Sequence, residues 1–233
     1  MNIKYPEKRL EKFWGKVDHK HIQIIKKFLQ GKTILDIGCG YGTTTAALNK
    51  EGYSCQGIDT DKESINIAKH KFPHCNFQIA NAEHLPFESE QFDVIILRDA
   101  LHHLYKEANF DKVKMELMRV AKKKSRIIFF DPNINLIVRT ARKISFHQDV
   151  ECDFETAKKI MKEELNYTIT AYEFNTLISL PLSGGYVGIN FVPNISFIHQ
   201  FIFFIEKLIE KTVNKTGLGR YICWRYIIVG ERS

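Results

Sequence analysis

A chain of 233 residues, 44% hydrophobic and 26% charged, is long enough to bury one full α/β core and has the make-up of an ordinary globular protein. Its five cysteines (Cys39, Cys55, Cys75, Cys152 and Cys223) are scattered with no C-x-x-C pair, which argues against a disulfide framework or zinc knuckle and sets the expectation of a reducing, cytoplasmic setting. The formal charge of +7 suits an anionic partner such as a nucleic acid, a phospholipid surface or a phosphorylated substrate, and equally a plain basic protein. No run approaches the roughly 18 apolar residues of a membrane span, and Met1 to Leu10 lacks the apolar stretch of a signal peptide.

Residues 7 to 30 carry Leu10, Phe13, Trp14 and Val17, then Ile22, Ile25, Phe28 and Leu29, at helical spacing, and predict a helical cover that Gly31 ends. Tyr5, Phe13 and Trp14 read as core residues of that cover, with an aromatic lid over a cationic cofactor as the alternative. Thr33 to Leu48 is the informative stretch. Ile34, Leu35 and Ile37 make a short strand, broken by Gly38, Gly40 and Gly42, and a helix over 43 to 50 follows at once. Glycines at alternate positions let a ligand lie against bare peptide groups, and the helix that follows aims its first N–H groups at the turn. The pattern predicts the first strand, turn and helix of a Rossmann-like unit. A dinucleotide fingerprint would place its third glycine where Thr43 stands. Asp36 is costly at the end of a buried strand unless it meets a ligand ammonium group or backbone N–H groups of the turn.

Tyr53 to Ile58 supplies the second strand, with Asp59 at its end and 17 residues beyond Gly42, close to the interval at which nucleotide-binding folds place a carboxylate for a ribose. Thr60 and Glu63 read as a capping box for a helix over 62 to 71. Asn76 to Ala80 is the third strand and Gln91 to Leu97 the fourth, nearly continuous in apolar residues as a buried central strand should be. A helix from about 108 to 122 follows, ending in the solvated run Lys122 to Lys124, and Arg126 to Phe130 is the fifth strand. Five strands each followed by a helix predict a parallel sheet wound on both faces.

Residues 155 to 166 predict a helix, Thr168 to Phe174 a sixth strand and Tyr221 to Val229 a seventh. Between the last two lie about 46 residues, with a turn at Ser183 to Tyr186 and a helix over 195 to 213. That helix carries Phe197, Ile198, Phe201, Ile202, Phe204, Ile205, Leu208 and Ile209 on one broad face, with Phe203 beside it. The leading expectation is core packing. The alternatives are a lid, a dimer face or peripheral membrane contact beside Lys207, Lys211 and Lys215. Tyr186 and Asn190 are candidates to face an acceptor.

Over roughly residues 30 to 133 the chain resembles the class I S-adenosylmethionine-dependent methyltransferases. The resemblance rests on Leu35-Asp-Ile-Gly-Cys-Gly-Tyr-Gly42, Gly57-Ile-Asp59, Asn81-Ala-Glu-x-Leu-Pro-Phe87, Phe92-Asp-Val94 and Leu101-His-His-Leu104, in that order. It implies a Rossmann-like, doubly wound, seven-stranded sheet with strands 1–6 parallel and strand 7 antiparallel. It also implies a single domain: a helical cover over 1–30, a cofactor-binding core over 31–133 and a substrate-side elaboration over 134–233. S-adenosylmethionine is the implied cofactor. Gly38, Gly40 and the Asp36 region would hold its methionine part, Asp59 its ribose, Asn81 its adenine amino group, and the backbones of Ala82 and Arg98 its ring and its amine. Cys39, Thr60 and Glu83 adjoin them in the same stretches and are counted with the site. The Arg98 side chain is read either as an acidic-substrate contact or as part of a surface salt bridge.

Methyl transfer needs alignment, exclusion of water and at times removal of a proton. His102 and His103, just past the fourth strand, are the candidate bases, with packing or capping of the next helix as the alternative for each. Asp99, His102 and His103 resemble, with different residue types, a metal cluster of some O-methyltransferases, but no metal is expected. The acceptor is expected to be a small molecule, such as a lipid-linked or glycan intermediate, from the branch the chain resembles. A nucleic-acid partner is disfavoured, because Arg98-Asp-Ala-Leu101 stands where base methyltransferases carry an Asn/Asp-Pro-Pro-aromatic stretch. The remaining alternatives are an RNA, DNA or protein methyltransferase, a dinucleotide oxidoreductase, and a non-catalytic cofactor-binding protein on the same fold.

Overall fold

A computed structural model describes residues 8–144, 152–182 and 192–232. The expected core residue Tyr5, the side chains of Leu10 and Trp14, the turn at Ser183 to Tyr186 and the candidate Asn190 lie outside what it describes. The chain runs from α1 (Lys8–Lys26) into β1 (Thr33–Ile37), α2 (Thr43–Lys50), β2 (Ser54–Asp59), α3 (Lys62–Lys71), β3 (Asn76–Ile79) and β4 (Phe92–Arg98). Next come α4 (Leu101–Glu107), α5 (Phe110–Val120), β5 (Ala121–Pro132), α6 (Leu136–Ile144) and α7 (Phe154–Lys159). The remainder is β6 (Tyr167–Asn175), α8 (Ser179–Leu182), α9 (Ser196–Thr216), α10 (Gly219–Ile222) and β7 (Arg225–Arg232).

The seven strands form one sheet in the order β3-β2-β1-β4-β5-β7-β6, six of them parallel and β7 antiparallel. Ile34 and Leu35 of β1, Val94 to Leu97 of β4 and Ile127 to Phe130 of β5 are fully buried. Such unbroken apolar runs belong to strands covered on both faces. The strand order reverses between β1 and β4, where an open α/β sheet leaves its ligand crevice beyond the strand ends.

The chain divides into two compact units. The sheet unit takes Ile25–Pro132, Val150–Tyr172 and Ile227–Ser233, and the helical unit takes Met1–Ile24, Asn133–Asp149 and Glu173–Tyr226. In the helical unit Phe13 and Val17 of α1 pack with Val192 and with Ile198, Ile202 and Phe203 of α9. Lys20 of α1 meets Glu206 at 2.6 Å and Glu210 at 2.7 Å, and Glu206 also accepts from the Ile178 N–H, the Ser179 N–H and the Ser179 hydroxyl.

Several expectations need correction. The cap of α3 is Asp61, whose carboxylate accepts from the Glu63 and Ser64 N–H groups, and Thr60 stays outside it. Hydrogen bonds from Ser64 and from the backbone hold the Asp61 carboxyl below its usual range. Alternation fails between β3 and β4, which are joined without a helix by a loop that makes a short bridge between Asn81 and His84. An extra short helix, α4, precedes α5.

The lysine run opens β5 rather than closing a helix. Lys122 Nζ reaches Asp93 at 2.8 Å, and Asp93 also accepts from the Lys32 and Thr33 N–H groups and the Thr33 hydroxyl. Partial burial raises the Asp93 pKa, but bonds from Lys122, Thr33 and Lys32 outweigh it and hold this carboxyl well below the usual carboxylate range. The helix expected over 155 to 166 is α7 continued by a π turn, Ile160–Glu164, closed by the Leu165 N–H on the Ile160 carbonyl. Strand β7 starts four residues later than expected, because Tyr221 and Ile222 belong to α10.

Candidate active site

The three glycines after β1 do three different jobs. Gly38 sits at φ +71°, and a Cβ there would lie 2.7 Å from that of Ala100, so the turn packs directly against the segment that follows β4. Gly42, at φ +77°, is pressed against the Phe77 ring, 2.5 Å from where its Cβ would be. Gly40, at φ +49°, faces open space, with no described atom within 4 Å of where a Cβ would stand. A bare, outward-facing peptide at the mouth of the crevice is the feature a ligand lying along the backbone requires.

The turn is stitched to β2. The N–H groups of Gly38 and Cys39 both donate to the Ile58 carbonyl, at 2.9 and 3.0 Å. Asp59 then clamps the tip, with Oδ2 accepting from the Gly40 N–H at 2.8 Å and Oδ1 from the Asp61 N–H at 2.9 Å. A carboxylate offers about four acceptor positions, so these two bonds fix its orientation and still leave it able to accept from a pair of hydroxyls.

Asp36 is 1% exposed and receives the Thr45 hydroxyl at 2.6 Å. Burial pushes its pKa up to about 6, against the Thr45 side-chain hydrogen bond, the positive charge of Arg98 and a backbone hydrogen bond from Thr45. Arg98 Nη1 donates to the Thr44 hydroxyl at 3.1 Å, and its Nε lies 3.9 Å from the Asp99 carboxylate. This side chain therefore ties the end of β4 to the first turn of α2. The Cys39 thiol is pushed far up, first by burial and then by the Asp36 and Asp59 charges, which leaves it inert as a nucleophile.

Beyond β3, Asn81 uses its side-chain oxygen to accept from the Glu83 N–H at 2.9 Å, and Ala82 is buried. Glu83 points to the start of α5 and accepts from the Asn109 N–H at 2.9 Å. Glu116 takes the Leu85 N–H, and Arg119 donates to the Leu85 and Phe87 carbonyls, so α5 pins the whole loop. Thr60 is exposed beside Asp59.

The two histidines part company. His102 is 5% exposed, and its Nδ1 lies 3.2 Å from the carboxylate of Asp131, itself fully buried, which also takes the His102 N–H. His103 is half exposed and pairs with Glu107 at 3.1 Å, its ring tilted over that of His102 with centroids 4.2 Å apart. Among the described residues no group of three His, Cys, Asp or Glu side chains could hold a metal ion. A surface depression runs along α3, past Lys62, Ile67 and His70.

Residues 35–129 match the family model described as a methyltransferase domain. With the sheet order and the glycine turn, that match defines a class I S-adenosylmethionine-dependent methyltransferase domain over this part of the chain. Among curated proteins, the chain is 30% identical over 146 residues to the phthiotriol/phenolphthiotriol dimycocerosates methyltransferase of Mycobacterium leprae, covering 59% of this chain and 49% of that protein. It spans less than two thirds of the length of the first curated relatives it matches. Among solved structures, a SAM-dependent methyltransferase from Archaeoglobus fulgidus aligns with a TM-score of 0.64 at 22% identity over 95% of this chain and 97% of that one. The geranyl diphosphate C-methyltransferase of Streptomyces coelicolor A3(2), solved with Mg2+, geranyl diphosphate and S-adenosyl-L-homocysteine, aligns with a TM-score of 0.66 at 11% identity, over 100% and 88% of the two chains. At those identities the structures speak for the fold alone.

Sequence reasoning passed over Asp131, Thr44, Thr45, Glu116 and Arg119. Asp131 had a signal, being a lone carboxylate after four apolar residues of a central strand. The others act through side-chain bonds to residues that are remote in sequence, or through a helix face, and left none.

Proposed function

We propose that the protein transfers a methyl group from S-adenosylmethionine to a small apolar or lipid-linked acceptor. The observation that carries the reading is the Gly40–Asp59 pair: an open, left-handed glycine whose N–H is held by a carboxylate with acceptor capacity to spare. In this reading Asp59 binds the ribose hydroxyls, and Gly38 and Gly40 let the methionine part lie along the turn. Ionised Asp36 counters its ammonium group, and Ala82 and Asn81 border the adenine. The cofactor supplies a methyl group already activated on a sulfonium. The protein's tasks are then to align the acceptor, exclude water and, for a hydroxyl or carbon acid, take up a proton.

Of the two histidines, His102 suits the last task. With its Nδ1–H donating to buried Asp131, the imidazole keeps its lone pair at Nε2 and the resulting imidazolium is stabilised, the arrangement by which a carboxylate orients a general base. The acceptor class draws on the name of one similar protein, the phthiotriol/phenolphthiotriol dimycocerosates methyltransferase of Mycobacterium leprae.

Incubating the protein with labelled S-adenosylmethionine and cell extract, then separating lipid, glycan, protein and nucleic-acid fractions, tests this directly. Label is expected in the lipid fraction. Label in protein or nucleic acid would replace the acceptor, and tight S-adenosylhomocysteine binding with no transfer would favour a non-catalytic binder. In the same assay His102→Ala should slow transfer by roughly 10²–10⁴-fold, the usual scale for a general base, and His103→Ala far less.

A further inference from the structure

The helix α9 has two faces of opposite character. Its inward face carries His199, Ile202, Phe203, Glu206 and Val213, with Phe203 stacked on Phe13 of α1 at 5.5 Å. Its outward face carries Phe197 (75% exposed), Phe201 (57%), Phe204 (59%) and Leu208 (50%). Their spacing of four, three and four residues makes a single stripe along the helix. The broad apolar face expected from the sequence is thus split, and half of it stays in water within its unit.

Charge is sorted in the same way. The acidic residues of α9, Glu206 and Glu210, are both turned inward onto Lys20. Its exposed charges are Lys207, Lys211 and Lys215, which flank and continue the apolar stripe. By sequence, the segments of the helical unit hold 14 Lys and Arg against seven Asp and Glu, and those of the sheet unit hold 20 of each. The whole formal charge of +7 therefore belongs to the unit that presents the stripe.

We infer that α9 docks on an anionic bilayer surface, with Phe197, Phe201, Phe204 and Leu208 entering the boundary between headgroups and acyl chains while the three lysines meet lipid phosphates. An interfacial helix needs this combination of a continuous aromatic and aliphatic stripe, flanking lysines and no acidic side chain facing the lipid. Lysine stems cover apolar surface while their ammonium groups stay at the phosphate level. A second copy of the chain fits the face poorly, since pairing would bring two strongly basic units together. The inference rests on α9 alone and does not depend on which acceptor is methylated. No helix among the described residues is long and apolar enough to cross a membrane, so the contact is peripheral.

Co-sedimentation of the full chain with phosphatidylcholine vesicles, with and without one third phosphatidylglycerol, tests it. Binding is expected to the anionic vesicles, at least tenfold weaker to neutral ones, and weakened by salt. The double variant Phe201→Ser/Phe204→Ser and the triple variant Lys207→Glu/Lys211→Glu/Lys215→Glu should each lose at least tenfold in vesicle binding, with S-adenosylhomocysteine affinity unchanged. The salt and lipid series on the unaltered protein keeps the inference exposed if a variant fails to fold. Absence of binding to anionic vesicles, or equal binding by either folded variant, would overturn it. A concentration-dependent dimer that Phe201→Ser/Phe204→Ser converts to monomer, without vesicle binding, would assign the face to a second copy instead.

Discussion

The two units each bury carboxylates and treat them in opposite ways. Glu206 in the helical unit is completely enclosed and saturated, taking the Lys20 ammonium, two backbone N–H groups and the Ser179 hydroxyl. Asp36 in the sheet unit is as deeply buried but, among the described residues, is bonded by a single residue, Thr45, through its hydroxyl and its backbone, with Arg98 acting only through its charge, and its pKa rises. Asp59 lies between these cases, oriented by two N–H groups and with acceptor capacity left over. A buried charge whose partners all come from its own chain holds the chain together. One left short of partners costs stability unless something else supplies them, and in a crevice that something is a ligand.

Glu206→Ala is the strongest way to break this contrast. It leaves Lys20 without its shortest partner and strips the acceptor from the Ile178 and Ser179 N–H groups. Removing one member of a buried pair costs about 3–5 kcal/mol, and urea unfolding should show a loss of that size. Affinity for S-adenosylhomocysteine, measured by calorimetry on the folded variant, should stay within about twofold of the parent. A tenfold loss of affinity would mean that saturation does not separate structural carboxylates from functional ones.

Asp36 gives the next effect, and its sign is opposite to that of a stabilising salt bridge. Burial raises its folded-state pKa to about 6, above the ordinary carboxylate range. The folded state therefore holds an extra proton between about pH 4 and 6, so stability falls as pH rises across that window and stays reduced above it. A rise of about two pKa units corresponds to about 3 kcal/mol. Asp36→Asn should remove this slope, so the stability difference between variant and parent should grow from pH 4 to 6. S-adenosylhomocysteine should bind the parent more tightly as pH passes 6, when the carboxylate can face the ligand ammonium group. A pH-independent difference between the two proteins would remove Asp36 from the account.

For Asp59, Asp59→Asn keeps the shape of the clamp and removes the charge. Cofactor affinity should fall by about 1.5–3 kcal/mol, the scale of a hydrogen bond to a charged group, or roughly tenfold to somewhat over a hundredfold. Unchanged affinity by calorimetry would mean that the clamp on Gly40 is its whole role.

How much of this could be read in the sequence follows from how each feature is built. The strand ends were legible because their signals are contiguous: Gly38, Gly40 and Gly42 mark a turn, and Asp59 follows an apolar strand. The cap of α3 was misplaced by one residue, because Thr60 and Asp61 are both capping residues and only geometry chooses Asp61. The helical unit was not legible, since three segments distant in the chain supply it and the Lys20–Glu206 pair spans 186 residues. Nor could periodicity divide α9 into a buried and a bare half, because both halves are apolar. His102 and His103 are adjacent and chemically alike, and the Asp131 carboxylate that distinguishes them comes from the next strand of the sheet.

Glu83 yields the smallest effect and the sharpest test of the site's border. Its position beside Asn81 and Ala82 counts it with the cofactor residues, but its carboxylate accepts the Asn109 N–H at the start of α5, 26 residues away. Its backbone N–H is taken by the Asn81 side chain, so residues 81 and 83 form a small local turn whose outer side chain serves α5. Glu83→Ala should then cost about 0.5–1.5 kcal/mol of stability, the net value of one ordinary hydrogen bond, with S-adenosylhomocysteine affinity changed less than about twofold. Asn81→Ala removes the turn itself and should weaken the cofactor more than Glu83→Ala does. If Glu83→Ala lowers affinity tenfold while stability holds, its carboxylate reaches the ligand, and the border drawn between Asn81 and Glu83 has to move outward.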